Sequence, residues 1–359
     1  MSAHEAARRA EVLLDLKRPT EALAVLAPAL AEDPGSVLLL CLQTLALLRC
    51  EQWQHAVKAG EAAVAADPES EAAQRLLSEA YEQHGYLLLA VASARRAVAL
   101  SPESWAAHVR WAMALTANRE VTLAYEAAKQ SVRLNPENAE TLFAMGYTAA
   151  RCNKRRIARE AYARALALDP HHAAAHNNLA VLRLGRGQLL PAAEGLGASL
   201  SIQPGSKPGH HNVDLLAQRF MVCVQVALGL LVVAISGITE PKVRAGQPPV
   251  PNSPWWLPLL AVAAPLVVVA ALFVTDRSLP RSLRAHFRRL PATDGLVMGW
   301  TALNAVAVLL ALVIALPVSE SWRSGLRDSA FFVMVAAAGL VWRKQHVLRA
   351  RRRSMGRGR

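Results

Sequence analysis

Six prolines stand 34 residues apart along the first part of the chain: Pro34, Pro68, Pro102, Pro136, Pro170 and Pro204. Twelve residues before each stands an alanine (Ala22, Ala56, Ala90, Ala124, Ala158, Ala192), and five before each a small residue (Ala29, Ala63, Ala97, Ser131, Ala165, Ser199). A fixed period of this length means that one supersecondary unit is repeated and that no single unit can bury its apolar face alone. Small residues at fixed helical offsets let two helices approach closely, and a proline after an apolar helix ends it. Each period is therefore predicted to be a helix, a turn and a helix, and the series to stack as a solenoid whose first helices line a groove.

In stretches such as IAREAYARALALDP and AHNNLAVLRLGRGQLLPAAE the chain resembles the tetratricopeptide repeat (TPR) family, over roughly residues 3–204. The resemblance implies an all-α solenoid of six helical hairpins, here taken as residues 1–204, that works by binding a protein or peptide. One departure is the small position in the first helix, which is a glycine only at Gly146 and is Thr44, Ser78, Ala112 or Ala180 elsewhere. The family's groove stripe, carried onto this sequence, falls on Arg75, Glu79, Val109, Met113, Phe143, Tyr147, Arg151 and Asn177. The lysine and asparagine set with which some members clamp a peptide carboxylate is not matched, which disfavours a chaperone-tail ligand. An amphipathic helix or an extended apolar peptide fits better, because Phe143 and Tyr147 stand one turn apart as a rigid apolar platform between arginines. The competing reading is that these side chains pack between neighbouring helices or hold the chain's own linker.

The remainder of the chain has another character. Residues 1–205 carry 21 basic and 21 acidic side chains, whereas the rest carries 19 and 6, so the net charge of +13 belongs to the C-terminal part. The mean hydropathy of +0.21, with 53% hydrophobic residues, is high for a chain that lies wholly in water. After a linker or capping segment at 205–219, four apolar stretches are expected to cross a bilayer at 220–238, 255–274, 296–318 and 322–342, because about 20 apolar residues span a hydrocarbon core as a helix. Trp255, Trp256, Trp322 and Trp342 lie at their ends, where interfacial aromatics belong. Arginines crowd the segment 275–294 and the tail 343–359, while the alternate loops hold two basic residues each. Positive charge stays on the cytoplasmic side, so the expected topology is multi-pass in the inner membrane, with the repeats and the C-terminus both cytoplasmic. Leu283, Phe287 and Leu290 recur at helical spacing against Arg281, Arg284, Arg288 and Arg289, a pattern suited to anionic membrane lipids. The basic tail sits directly behind an apolar helix and brings no aromatic stacking or base-reading motif, so nucleic acid is not an expected partner.

No Gly-rich phosphate loop, HExxH, GxSxG or CxxC motif occurs, so neither catalysis nor a cofactor is expected. His172 and His176 share a helix face beside His171, but no acidic or cysteine ligand accompanies them, and they are expected as solvated turn residues rather than metal ligands. Cys41, Cys50, Cys152 and Cys223 have no ligand spacing and are expected as free thiols. Gln225, Thr301 and Asn304 are the notable polar groups of the apolar stretches, suited to joining helices. The function expected is that of an adaptor that recruits a cytoplasmic protein or peptide to the inner membrane face; the oligomeric state is left open. The alternatives are a component of a gated transporter or channel, and an accessory subunit of a membrane enzyme complex. Arginine in excess of lysine and abundant alanine are what GC-rich bacterial coding produces.

Overall fold

The computed structural model describes residues 2–239, with the side chains of the last long helix given as far as Val226, and further single positions and the segment 335–343 nearer the C-terminus. The chain divides into two units, 1–178 and 179–358. Every element among the described residues is helical. Six hairpins follow one another: α1 (Ala3–Asp15) with α2 (Pro19–Glu32), α3 (Val37–Arg49) with α4 (Trp53–Ala66), α5 (Glu71–His84) with α6 (Leu87–Leu100), α7 (Trp105–Ala117) with α8 (Val121–Leu134), α9 (Ala139–Arg151) with α10 (Arg155–Leu168), and α11 (Ala173–Leu184) with α12 (Leu189–Ile202). A longer helix, α13 (Lys207–Thr239), comes next.

The 34-residue register is written into the backbone as well as into the prolines. Ser70, Ser104 and Asn138 occupy one position of it, and each side-chain oxygen accepts an N–H from the first turn of the following helix, at 3.3 Å from Ala73, 3.2 Å from Ala107 and 2.9 Å from Glu140. Such caps satisfy donors that the helix itself leaves free. The turn inside each hairpin needs a left-handed residue, and these too fall 34 apart: Lys17 (φ 58°), Glu51 (57°), Gly85 (99°), Arg119 (68°), Asn153 (58°) and Gly187 (75°). Glycine is at ease there; lysine, glutamate and arginine are held there at a cost of about 1 kcal/mol or more each. A third recurrent device is histidine. The ring nitrogens of His108, His176 and His210 lie 3.0, 2.9 and 2.7 Å from the carbonyl oxygens of Pro102, Pro170 and Pro204, so a histidine six residues on ties down these three of the six proline turns.

Within the first unit each helix packs on its hairpin partner and on the next hairpin, and α1, α3, α5, α7 and α9 also touch one another in succession. The second helices α2, α4, α6, α8 and α10 approach one another less extensively, so the first helices form the inner wall of the stack. The small residues of the repeat lie at the crossings: the six alanines twelve before the prolines are fully buried, and those five before are at most 3% exposed. Where the glycine position holds a hydroxyl, the hydroxyl is satisfied. Thr44 donates to Leu40 O at 2.8 Å, and Ser78 to Ala90 O across the hairpin at 2.8 Å.

In the second unit α12 packs on α13, whose helix begins at Lys207, so residues 207–219 are helical. Val213 and Leu216 close over Leu184, Leu196 and Leu200. Leu283, which the sequence pattern places toward lipid, is instead fully buried in this same cluster. Among the described residues no helix is long and apolar enough to cross a membrane. The described residues thus hold the helical solenoid and no transmembrane bundle. The stretch 255–274, most of 296–318 and of 322–342, together with Arg281, Arg284, Arg288, Arg289 and the tail 344–359, lie outside the described residues.

Candidate functional site

The inner wall of the first unit carries a cleft of about 440 Å³, built from one face of each of four successive first helices. Leu45 and Arg49 come from α3, Arg75, Leu76 and Glu79 from α5, Trp105, Val109, Arg110 and Met113 from α7, and Glu140 and Phe143 from α9. Residues 75, 109 and 143 occupy one position of the 34-residue register, and 45, 79 and 113 the position one turn on, so the cleft follows from stacking identical hairpins. Five of the eight residues carried over from the family stripe, Arg75, Glu79, Val109, Met113 and Phe143, line it together. Tyr147, Arg151 and Asn177 do not. Tyr147 stacks on Phe143 with ring centroids 6.1 Å apart, Arg151 is exposed at the end of α9, and buried Asn177 donates to Asn178 Oδ1 at 3.3 Å.

The charged groups of the cleft are held rather than free to swing. Arg75 Nε lies 3.2 Å from Glu71 Oε1 one turn before it on α5. Arg110 forms an ion pair with Glu82, and 12% and 20% of the two side chains remain exposed. Desolvation lowers the guanidinium pKa of Arg110, Glu79 and Tyr147 pull it back up, and Arg75 pushes it further down. Its Nε has no hydrogen-bond partner. Arg110 thus lines the cleft together with Leu45, Leu76, Val109 and Met113, and Arg49 is exposed at the rim. Such a surface can hold an apolar side chain and, beside it, a carboxylate near the arginines.

Phe143 is the pivot between the cleft and the core. Its ring is 8% exposed and meets Tyr147, Tyr162 at 5.9 Å and His172 at 4.6 Å. The expectation of a solvated His172 is therefore overturned: its side chain is 10% exposed, its Nδ1 accepts the N–H of Ala175 at 3.3 Å, and its Nε2 faces Glu140 Oε1 at 3.6 Å. The ring thus serves as a helix cap through Nδ1 and as an aromatic partner of Phe143, while Nε2 has no hydrogen-bond partner. Among the described residues no three His, Cys, Asp or Glu side chains gather as a metal site. The four cysteines are free, and burial pushes the Cys41 thiol up, as befits a small apolar residue.

Sequence reasoning passed over Arg110, Trp105, Glu140, Leu45 and Arg49. Arg110 was findable: the same register position is Leu42, Leu76 and Ala144 in the neighbouring repeats, so a charge there breaks an apolar column. Arg49 stands three periods before Arg151 and takes the rim at the other end of the wall.

Comparison with known proteins agrees with this architecture. The family model described as Tetratricopeptide repeat matches residues 42–104 and 143–207. The APC/C hetero-tetramer Cut9–Hcn1 contains a chain that aligns at 17% identity and TM-score 0.51, over 58% of this chain and 42% of that one, so this chain spans under half the length of that relative. A thermophilic TPR protein of Thermus thermophilus aligns at 23% identity and TM-score 0.47, over 51% of this chain and 99% of that one. YrrB, described as a TPR protein with an unusual peptide-binding site, aligns at 20% identity and TM-score 0.35, over 52% and 96%. No curated protein is similar enough in sequence to count as a relative. Residues 42–104 and 143–207 thus match tetratricopeptide repeats, and the helical-hairpin solenoid is the fold shared with the Cut9–Hcn1 chain.

Proposed function

We propose that this tetratricopeptide-repeat chain is a membrane-anchored adaptor that holds a cytoplasmic protein, through a peptide or helix lying on its inner wall, at the inner face of the cell membrane. The observation that carries the binding half is the cleft lined by Arg110: four repeats contribute to it, Leu45, Leu76, Val109 and Met113 make it apolar, and the guanidiniums of Arg49, Arg75 and Arg110 border it. The ligand that matches is an apolar segment with an acidic residue beside its anchoring side chain. Arg75, Glu79, Val109, Met113 and Phe143 contact it directly, with Tyr147, Arg151 and Asn177 along its path toward the C-terminal end of the wall. What supports the anchoring half is the sequence: four apolar stretches with tryptophans at their ends and arginines on alternate sides. In this reading Arg281, Arg284, Arg288 and Arg289 meet anionic lipid headgroups, and no nucleic acid or cofactor takes part.

Proximity labelling in the native cell with three forms of the full chain tests it. Met113→Glu places a second carboxylate beside Glu79, whereas Leu88→Glu alters the outer surface, where Leu88 is 75% exposed. The proposal expects a partner set lost with Met113→Glu, kept with Leu88→Glu, and recovered from the membrane fraction. An identical set for all three forms would overturn the groove. Recovery of the parent chain from the soluble fraction would overturn the anchor.

A further inference from the structure

The two kinds of connection in the first unit differ in charge. The links between hairpins hold Asp33, Asp67, Glu69, Glu103, Glu137 and Asp169 and no lysine or arginine. The turns inside the hairpins lie at the opposite ends of the same helices, about 20 Å away along a helix of this length. There, in the fourth and fifth hairpins, Arg119, Lys154, Arg155 and Arg156 gather. The repeats balance their charges in number and separate them in space, with acid at one edge of the stack and base at the other.

The two basic turns form one surface. Cys152 Sγ donates to Val121 O at 3.1 Å, and Lys154 Nζ stands 3.8 Å from the centroid of the Tyr125 ring, so the turn of the fifth hairpin is fastened to the start of α8. Leu123, in the first turn of α8, is 53% exposed. Glu120 accepts a hydrogen bond from Asn118 Nδ2 at 2.6 Å, and Arg156 reaches Glu160 at 3.4 Å. Arg119, Lys154 and Arg155 form no ion pair among the described residues. Arg119 moreover keeps its cation at φ 68°, a position that Gly85 and Gly187 fill in other hairpins without strain. A charge kept against the preference of its backbone indicates a use outside the hairpin.

We infer that this edge of the fourth and fifth hairpins docks on the anionic inner leaflet of the membrane, with Arg119, Lys154, Arg155 and Arg156 among the lipid phosphates and Leu123 at the depth of the headgroups. Basic side chains around an exposed apolar one are the composition of an interfacial surface. The occupant follows from where the chain is held. α13 runs as one helix from Lys207 to Thr239 and so leads from the repeats into the first apolar stretch. In the anchoring reading, on which this inference rests, the repeats stay beside the leaflet at high effective concentration, and a modest electrostatic contact suffices. The first helices run from one edge to the other, so docking by the basic edge stands them on the bilayer and lays the cleft, which crosses four of them, parallel to it.

The test uses the full chain with its four native cysteines replaced, in liposomes of phosphatidylcholine alone or mixed with phosphatidylglycerol. A polarity-sensitive fluorophore is placed on Thr122→Cys at the basic edge or on Glu69→Cys at the acidic one, both exposed positions. The Thr122 probe is expected to shift to the blue, and to be quenched by spin-labelled headgroups, only with phosphatidylglycerol, and to lose both signals at about 1 M salt. The Glu69 probe is expected to do neither. A basic residue near an anionic leaflet is worth about fivefold, so Arg155→Glu with Arg156→Glu should lower the docked-to-undocked ratio about twentyfold or more. Lys154 is left in place because its ammonium rests on Tyr125. Arg95→Glu with Arg96→Glu, the same change of charge on the exposed middle of α6, should leave the ratio unchanged. A Thr122 signal that is alike in both lipids, or that both double variants reduce equally, would overturn the docking, as would a shift of equal size at Glu69. A Thr122 probe that responds to polyglutamate and to neither lipid would also overturn it and assign the edge to an acidic protein. A chain that floats with phosphatidylglycerol liposomes but leaves them at high salt, with the Thr122 shift intact before the salt is added, would leave the docking standing and refute the anchor alone.

Discussion

Gly146 is the one position where the first helix of a hairpin keeps the glycine usual for this repeat, and the structure supplies a reason. A Cβ built there would stand 2.7 Å from both Cδ1 and Cε1 of Tyr162 and 3.1 Å from Cγ. Those atoms cannot rotate away. The Tyr162 side chain is 1% exposed, its ring lies against Phe143 at 5.9 Å, and it shares a hydrogen bond with Asn178. Overpacking of this kind costs about 1–3 kcal/mol, while exchanging glycine for alanine inside a helix returns about 1 kcal/mol. Gly146→Ala is therefore expected to destabilise by up to about 2 kcal/mol, a fall in Tm of up to about 8 °C for a domain of this size. The assay is thermal and urea unfolding of residues 1–218, followed by circular dichroism. Tyr162→Leu, itself destabilising by about 2–3 kcal/mol, removes the ring, and in that background Gly146→Ala should reverse sign and stabilise. If Gly146→Ala stabilises the parent, or has the same effect beside Tyr162→Leu, the close packing against Tyr162 does not govern this position.

Arg119→Gly should stabilise by about 0.5–1 kcal/mol, because it relieves a non-glycine residue at φ 68°; Ala at the same place, which keeps the strain, should give no gain in urea melts. Burial, the hydrogen bond from its hydroxyl to Glu61 and the charge of that carboxylate push the Tyr81 pKa up to about 12 from an ordinary value of 10.0. The fold thus favours the neutral phenol: its contribution is complete below pH 10, falls as pH rises from 10 through 12, and should vanish from the stability profile of Tyr81→Phe. Arg110→Met leaves the Glu82 carboxylate half-buried without its cation and should cost about 2–3 kcal/mol, whereas Arg110→Met with Glu82→Gln should recover most of that loss in the same melt.

The hairpin order, the small residues at the crossings and the position of the groove were legible because a 34-residue period repeats every local decision several times, and a pattern seen six times averages out the noise of any one helix. The individuality of each repeat was less legible. Arg110 lies in a column of Leu42, Leu76 and Ala144, and a reading aimed at the exposed stripe does not look there. His172 reads as a polar turn residue, but it takes the capping position that Ser70, Ser104 and Asn138 hold in earlier repeats, and its ring then falls on Phe143. Phe143 itself illustrates the limit: a stripe residue can face the cleft with one edge and the core with the other, and only the packing of Tyr162 and His172 decides the share. Leu283 was misread for a related reason. Helical spacing beside arginines identifies an amphipathic face and says nothing about whether lipid or an uncovered repeat receives it.

The central claim, that a partner lies on the inner wall over Arg110, is tested most directly by a photo-crosslinking amino acid at Val109 in the full chain, in the living cell, with the same group at Leu88 as the reference. Val109 lines the cleft and Leu88 stands on the outer surface. A discrete adduct is expected from Val109, absent from Leu88, that disappears when Arg110→Met and Glu82→Gln are combined in a chain that still melts normally. Equal adducts from both positions, or an adduct from Val109 that survives the loss of the arginine, would contradict it.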